Sequence, residues 1–210
     1  MVRLGIESVL ESQNSVLADE RLGLITNPSG VDSELRTTID LLADREEFDL
    51  RKLFGPEHGI RGSEQAGVEV EDSIDEKTGL PVKSLYGEEK HLRPEMLADL
   101  DTVVYDMQDI GCRFYTLIYT LAYALEGVAE AGKRMVVLDR PNPIAPVAPA
   151  GNRVPDAHSS FVGNYGLPIV HGMTVGELAT YFNDEFDIGA DLHIVELDDW
   201  DRNVWYDATD

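Results

Sequence analysis

The residues best placed to do chemistry stand in short clusters: Thr26 and Asn27 at the end of LGLIT, Glu57 and His58 in FGPEHGIRG, Asp106, Gln108 and Asp109 in DMQDIG, and Asp139, Arg140 and Asn142 in LDRPNPI. Glu57 is the sharpest candidate. Pro56 before it and Gly55, Gly59 and Gly62 around it rule out a continuing helix, and the glycines permit positive φ or a close backbone approach. A carboxyl group fixed on such a loop and partly desolvated in a cleft can serve as a general acid. From local sequence alone Glu57 could equally cap the next turn or pair with Arg61, and His58 could orient it, meet a substrate or bond a backbone carbonyl. Asp106, at a strand end, is a candidate for direct chemistry. For Asp109, just before a helix, capping is the simpler expectation. Arg113 and Arg140 could grip a carboxylate in bidentate fashion or balance neighbouring acids. Tyr115, Tyr119 and Tyr123 recur every four residues, a packing stripe of which only Tyr115 would reach a cleft, and His171 would line that cleft or be satisfied locally.

Positioning these groups requires the elements around them. LGLIT (22–26) predicts a buried strand, followed by the turn Asn27 to Gly30 and a helix from about Asp32 with Leu35, Ile39 and Leu42 on one face. A strand near Leu50 to Phe54 delivers Glu57. A polar stretch, Gly62 to Leu80, predicts a long surface loop, then a short strand at Val82 to Leu85 and a short helix after Pro94. The strand Thr102 to Tyr105 delivers Asp106, an apolar helix is expected from about Cys112 to Ala131, and the strand Arg134 to Leu138 delivers Arg140. Pro141 to Pro155 predicts a loop or lid. Thr174 and Glu177 match a capping box opening a helix to about Phe182, with a last strand at Leu192 to Leu197. Strands alternating with helices predict an α/β fold, a doubly wound, mostly parallel, Rossmann-like sheet. In such sheets ligands bind beyond the carboxyl ends of the strands, where the clusters sit.

Composition narrows the function. The 210 residues carry 40 acidic and 17 basic side chains, a net charge of −23 and a pI near 4.4. The excess is spread along the whole chain, so it describes a surface that repels nucleic acid and anionic membranes, and neither is an expected partner. Few of the basic residues are lysine, a pattern expected of a halophilic protein working at a short Debye length. The single cysteine excludes an intrachain disulfide and a cysteine-based zinc site. No signal peptide or membrane span is visible, which predicts a cytoplasmic protein. No G-x-G-x-x-G or P-loop follows a strand, so no cofactor is expected. Metal ligation is not the leading expectation, although Glu57, Asp106 and Asp109 could form an oxygen-ligand site.

Taken in order, LGLITNPSGVD, FGPEHGIRG, TGLPVKSLYG, DMQDIGCRFYT, VVLDRPNPI, SSFVG and HGMTVGELA resemble the NamZ-type exo-β-N-acetylmuramidases, glycoside hydrolase family 171, from about Gly5 to Trp205. The resemblance implies a Rossmann-like amino-terminal domain, here 1–200, with 201–210 as the start of a truncated second domain. It implies release of terminal N-acetylmuramic acid from the non-reducing ends of peptidoglycan fragments, with an amino-sugar glycan or muropeptide-like substrate. Glu57 stands at the glutamate of the family's P-E-H-G motif, the proposed acid. Asp106 is then the first guess for nucleophile or base, and Asn27, His58, Gln108, Asp109, Arg113, Tyr115, Arg140, Asn142 and His171 are expected to bind substrate, Arg113 or Arg140 holding a lactyl carboxylate. A carboxyl separation of about 5 Å would imply retention, roughly 6.5 to 9.5 Å inversion. PAGNRVPD (149–156) stands where family members usually carry an E-G-P-like segment. The family's second domain would complete the cleft, so the alternative expectation is a sugar-binding half that needs a partner chain or domain.

Overall fold

The computed structural model describes residues 2–12, 15–62, 72–87 and 90–209. Seven strands form one sheet in the order β3-β4-β2-β1-β5-β6-β7. The strands are β1 (Arg21–Thr26), β2 (Asp49–Gly55), β3 (Ser73–Ile74), β4 (Pro81–Ser84), β5 (Thr102–Asp106), β6 (Arg134–Leu138) and β7 (Asp191–Val195). All neighbours pair in parallel except β3, which runs antiparallel to β4 and covers that edge. The helices are α1 (Gly5–Glu11), α2 (Thr38–Ala43), α3 (Leu117–Ala131) and α4 (Val175–Glu185).

Because side chains alternate along a strand, each buried strand feeds two cores. Val103, Tyr105, Met135 and Val137 pack with α3 and α4, while Leu22, Leu24, Val104, Val136 and Leu138 pack with α1 and α2. The chain runs outward from β1 through α2 to β2 on one face, and from β5 through α3 and α4 to β7 on the other. Winding therefore reverses between β1 and β5, which opens a crevice beyond their carboxyl ends.

Three boundaries differ from expectation. Helix α2 begins at Thr38, not near Asp32, because the buried Asp32 carboxylate accepts the amides of Glu34 and Arg36 and holds 32–36 as a loop. Leu35 in that loop is exposed with φ 62°, so it does not belong to the helix face. Helix α3 begins at Leu117 rather than near Cys112, since the Arg113 amide is spent on the Ile169 carbonyl. Within the expected loop Gly62 to Leu80, residues 73–74 form β3, while 63–71 lie outside the described residues. The capping box is present as expected, Thr174 accepting the Glu177 amide at 3.2 Å and Glu177 accepting the Thr174 amide at 2.9 Å.

Candidate functional site

The loops after β2, β4 and β5 meet at the rim of the sheet, and Glu57 stands at their meeting point. Its backbone follows β2 through Gly55 and Pro56, and the turn closes with the Gly59 amide on the Pro56 carbonyl at 3.0 Å. His58 and Gly59 both take left-handed φ, 71° and 69°, so the turn stores strain at a non-glycine residue beside the carboxylate. Arg61 fixes the far side of the loop. It does not pair with Glu57 but forks onto Asp75 at 2.6 and 2.9 Å, holding that carboxyl down at about 2.

Two hydroxyls reach Glu57 from other elements. The Tyr86 phenol, just past β4, donates to Oε1 at 2.9 Å, and the Thr116 hydroxyl, at the start of α3, lies 3.0 Å from Oε2. Glu57, Tyr86 and Thr116 are all half-buried, whereas Phe114 and Tyr115 are exposed on the neighbouring loop with ring centroids 5.4 Å apart. A half-buried carboxyl held by two hydroxyls on a strained turn is an arrangement able to exchange a proton with a bound molecule.

Asp106 has a different setting from the one expected of a nucleophile or base. Its side chain is fully buried, and Arg140 forks onto it at 2.6 and 2.9 Å while Thr38 donates to the same carboxylate. A buried carboxylate so engaged is one half of an ion pair and is not presented to a substrate. Arg140 is likewise buried, and its Nη2 also donates to the Val31 carbonyl at 2.8 Å. The pair ties β5, β6 and α2 together beneath the crevice.

The other expected residues divide similarly. Asn27 is half-buried and folds its own turn, accepting the Ser29 amide at 2.9 Å. Gln108 bridges the crevice, its amide bonded to the Ser29 hydroxyl and its side chain donating to the Asp109 and Pro141 carbonyls. Asp109 is buried and accepts the Gly111 amide at 2.7 Å and His171 Nε2 at 3.0 Å. His171 Nδ1 accepts the Met173 amide, which leaves the ring proton on Nε2, directed at Asp109. Arg113 donates to the carbonyls of Asn152 and Leu167 and staples the Pro141 to Pro155 loop to the later chain. Asn142 donates to the Met173 carbonyl at 2.9 Å. His58 is exposed beside Glu57, and Tyr115 is the exposed member of its stripe, with Tyr119 fully buried. Thus Glu57, His58 and Tyr115 lie near the open rim, Asn27, Gln108 and Arg140 form the floor between β1 and β6, and Asp109, Arg113, Asn142 and His171 brace the loops.

The sequence reading missed Tyr86 and Thr116, and it placed Asp139 in a strand-end cluster without giving it a role. Asp139 is buried at the end of β6, where Oδ1 accepts the amides of Arg140 and Gly176 at 2.9 and 2.7 Å and Oδ2 accepts the Thr174 hydroxyl at 3.0 Å. Burial outweighs those bonds and pushes its carboxyl up to about 6. Two cavities open along this edge, one of about 600 Å³ reached by Gln108, Arg140 and Tyr206, another of about 430 Å³ reached by Asp139, Glu177 and Trp200. Glu57 lines neither. Among the described residues no group of three His, Cys, Asp or Glu side chains is set to hold a metal, and Asp106 in particular is taken by Arg140.

The chain is similar to known proteins in sequence and in overall fold. Residues 22–210 match the family model for the amino-terminal part of the exo-β-N-acetylmuramidase NamZ. The chain is 49% identical over 208 residues to the peptidoglycan β-N-acetylmuramidase NamZ of Bacillus subtilis strain 168, covering 99% of this chain and 50% of that protein. Crystal structures of two DUF1343 family proteins from Bacteroides fragilis superpose with TM-scores of 0.90 and 0.82 at 45% and 29% identity, covering 98% of this chain in each case and 52% and 54% of theirs. The chain therefore spans about half the length of the relatives it matches. No described helix is long and apolar enough to cross a membrane. With a doubly wound sheet, a rim glutamate in the P-E-H-G turn and a family match over most of its length, the chain belongs to the family of the NamZ amino-terminal domain.

Proposed function

We propose that this chain is the glutamate-bearing half of an exo-acting glycosidase that releases terminal N-acetylmuramic acid, or a closely related N-acetylated amino sugar, from the non-reducing end of a glycan. The observation that carries this reading is the setting of Glu57, held by Tyr86 and Thr116 at the open rim where the loops of a doubly wound sheet converge. The relationship to a peptidoglycan β-N-acetylmuramidase supports the substrate class. Glu57 supplies its proton to the glycosidic oxygen as the bond to the anomeric carbon breaks, and the bonding electron pair leaves with that oxygen as an alcohol. Water adds its oxygen to the anomeric carbon and returns one proton to the protein, so the sum is hydrolysis. The buried Asp106–Arg140 pair keeps the floor of the crevice rigid in this scheme, and the second catalytic group is sought outside Asp106.

The test is turnover of an N-acetylmuramyl-N-acetylglucosamine disaccharide in high salt by the chain and its Glu57→Gln variant. Loss of about two to four orders of magnitude in the variant is what removal of a general acid produces. Undiminished turnover in Glu57→Gln refutes the assignment. A product lighter than free N-acetylmuramic acid by one water would replace hydrolysis with elimination.

A second reading, a sugar-binding half that turns over only with a partner chain or the second domain, is favoured by the coverage of about half of each relative. It predicts amino-sugar binding by the folded chain with no turnover, restored when the remaining domain is supplied.

A further inference from the structure

Resting on the reading of Glu57 as the acid, we infer that Tyr86 and Thr116 are positioning residues that make the two Glu57 oxygens inequivalent, so that the transferable proton is held on Oε2. A phenol is a far better donor than acceptor, and Tyr86 is directed at Oε1 at 2.9 Å. The carboxylate it faces also pushes the phenol up from its ordinary value, so Tyr86 keeps its proton at neutral pH. Oε1 is thereby an acceptor whether Glu57 is neutral or ionised. Oε2 has a different partner. An aliphatic hydroxyl donates or accepts by rotating about its C–O bond, so Thr116 at 3.0 Å can accept from a protonated Oε2 and donate to an ionised one.

The geometry of both partners fits such a task. Tyr86 is fixed at its backbone by reciprocal bonds with the Ser84 hydroxyl, at 3.1 and 3.0 Å, immediately after β4. Thr116 occupies the position before the first residue of α3, where a threonine ordinarily caps the helix. Here its side chain makes no cap bond, and the hydroxyl goes to Glu57 instead. In the proposed cycle the Oε2 proton passes to the leaving oxygen as the glycosidic bond breaks, and the Thr116 hydroxyl turns to donate to the carboxylate left behind. When water gives its proton back to Oε2 the hydroxyl reverses. Tyr86 stays a donor throughout and fixes the plane of the carboxyl group.

The test is a comparison of leaving groups. A nitrophenolate departs without help whereas a sugar alcohol needs the proton, so a fault in proton delivery shows on a disaccharide and is muted on a 4-nitrophenyl glycoside. Tyr86→Phe and Thr116→Val are each expected to lower kcat on the disaccharide by about tenfold, the effect of one hydrogen bond to a charged group, with KM within about twofold. Thr116→Ser is expected to restore it. Equal losses on both substrates, or no loss, overturn the inference. A readout independent of turnover is the ¹³C resonance of the Glu57 carboxyl carbon, assigned by its disappearance in Glu57→Gln. Its chemical shift at one fixed pH is expected to move in both Tyr86→Phe and Thr116→Val, because each removes a hydrogen bond to one carboxyl oxygen, and a resonance unmoved by either substitution overturns the inference. If Glu57→Gln keeps full disaccharide turnover, the reading of Glu57 as acid fails, and the resonance still decides whether these hydroxyls govern its carboxyl group.

Discussion

Replacing Asp139 by asparagine should change how stability depends on pH. Asp139 is buried at the end of β6, and its carboxyl is raised from 3.8 to about 6, burial being the largest cause. Below about 3.8 the group is protonated in folded and unfolded chains alike. Between 3.8 and about 6 the folded chain keeps a proton that the unfolded chain has released, so stability falls as pH rises, and above about 6 the loss is complete. About two units at about 1.4 kcal/mol each amount to about 3 kcal/mol. Asparagine keeps an oxygen for the amides of Arg140 and Gly176 and offers its NH₂ to the Thr174 hydroxyl, but has nothing to ionise. Urea unfolding of both proteins, followed by circular dichroism at one fixed high salt concentration from pH 4 to pH 8, isolates the term as a difference. The stability of the native chain minus that of Asp139→Asn should decline by about 3 kcal/mol across the window and then level off. A difference that stays flat, or grows with pH, would refute the claim that burial outweighs the three hydrogen bonds.

Arg140→Met should destabilise the fold by about 3 to 5 kcal/mol, because it leaves the Asp106 carboxylate buried without its partner, and Asp106→Asn in the same chain should recover part of that loss in urea unfolding. Gly127→Ala should also destabilise, since a Cβ there would lie 2.4 Å from the Leu92 carbonyl oxygen, and a melting temperature equal to that of the native chain would show that α3 can move away from this loop. Raising salt from about 0.1 M to about 2 M should raise the melting temperature, because screening weakens repulsion within a chain of net charge −23, and an unchanged melting temperature would argue against a halophilic surface.

The sheet was legible because its strands are short, β-branched or leucine-rich runs bounded by turn residues, and the capping box at Thr174 and Glu177 was legible because both partners lie within one turn of helix. Helix α2 misled because Leu35 has the right spacing to Ile39 yet sits at positive φ in a loop organised by Asp32, a side chain whose partners are not written in hydrophobic period. Helix α1 escaped notice, since Gly5–Glu11 is short and draws its stability from Ile6 and Val9 against the sheet. In the site, Glu57 announced itself through proline and glycine neighbours. Tyr86 and Thr116 did not, because they stand 29 and 59 residues from it and meet it only through the fold. Asp106 shows the converse: a carboxylate at a strand end reads as chemistry until the arginine that neutralises it, 34 residues on, is brought beside it.

The start of α3 carries a local conflict between two uses of one hydroxyl. A threonine cap is worth about 1 kcal/mol to a helix, and that contribution is absent here: Thr116 has helical φ and ψ of −71° and −28°, and its hydroxyl faces a carboxylate. On the proposed reading of Glu57, selection for a sturdier fold and selection for turnover would pull this position in opposite directions. In a screen for heat-resistant variants, substitutions at Thr116 that strengthen the start of α3 should emerge as stable and, on the proposed reading of Glu57, slow, so that a blind thermostability screen would point to this residue.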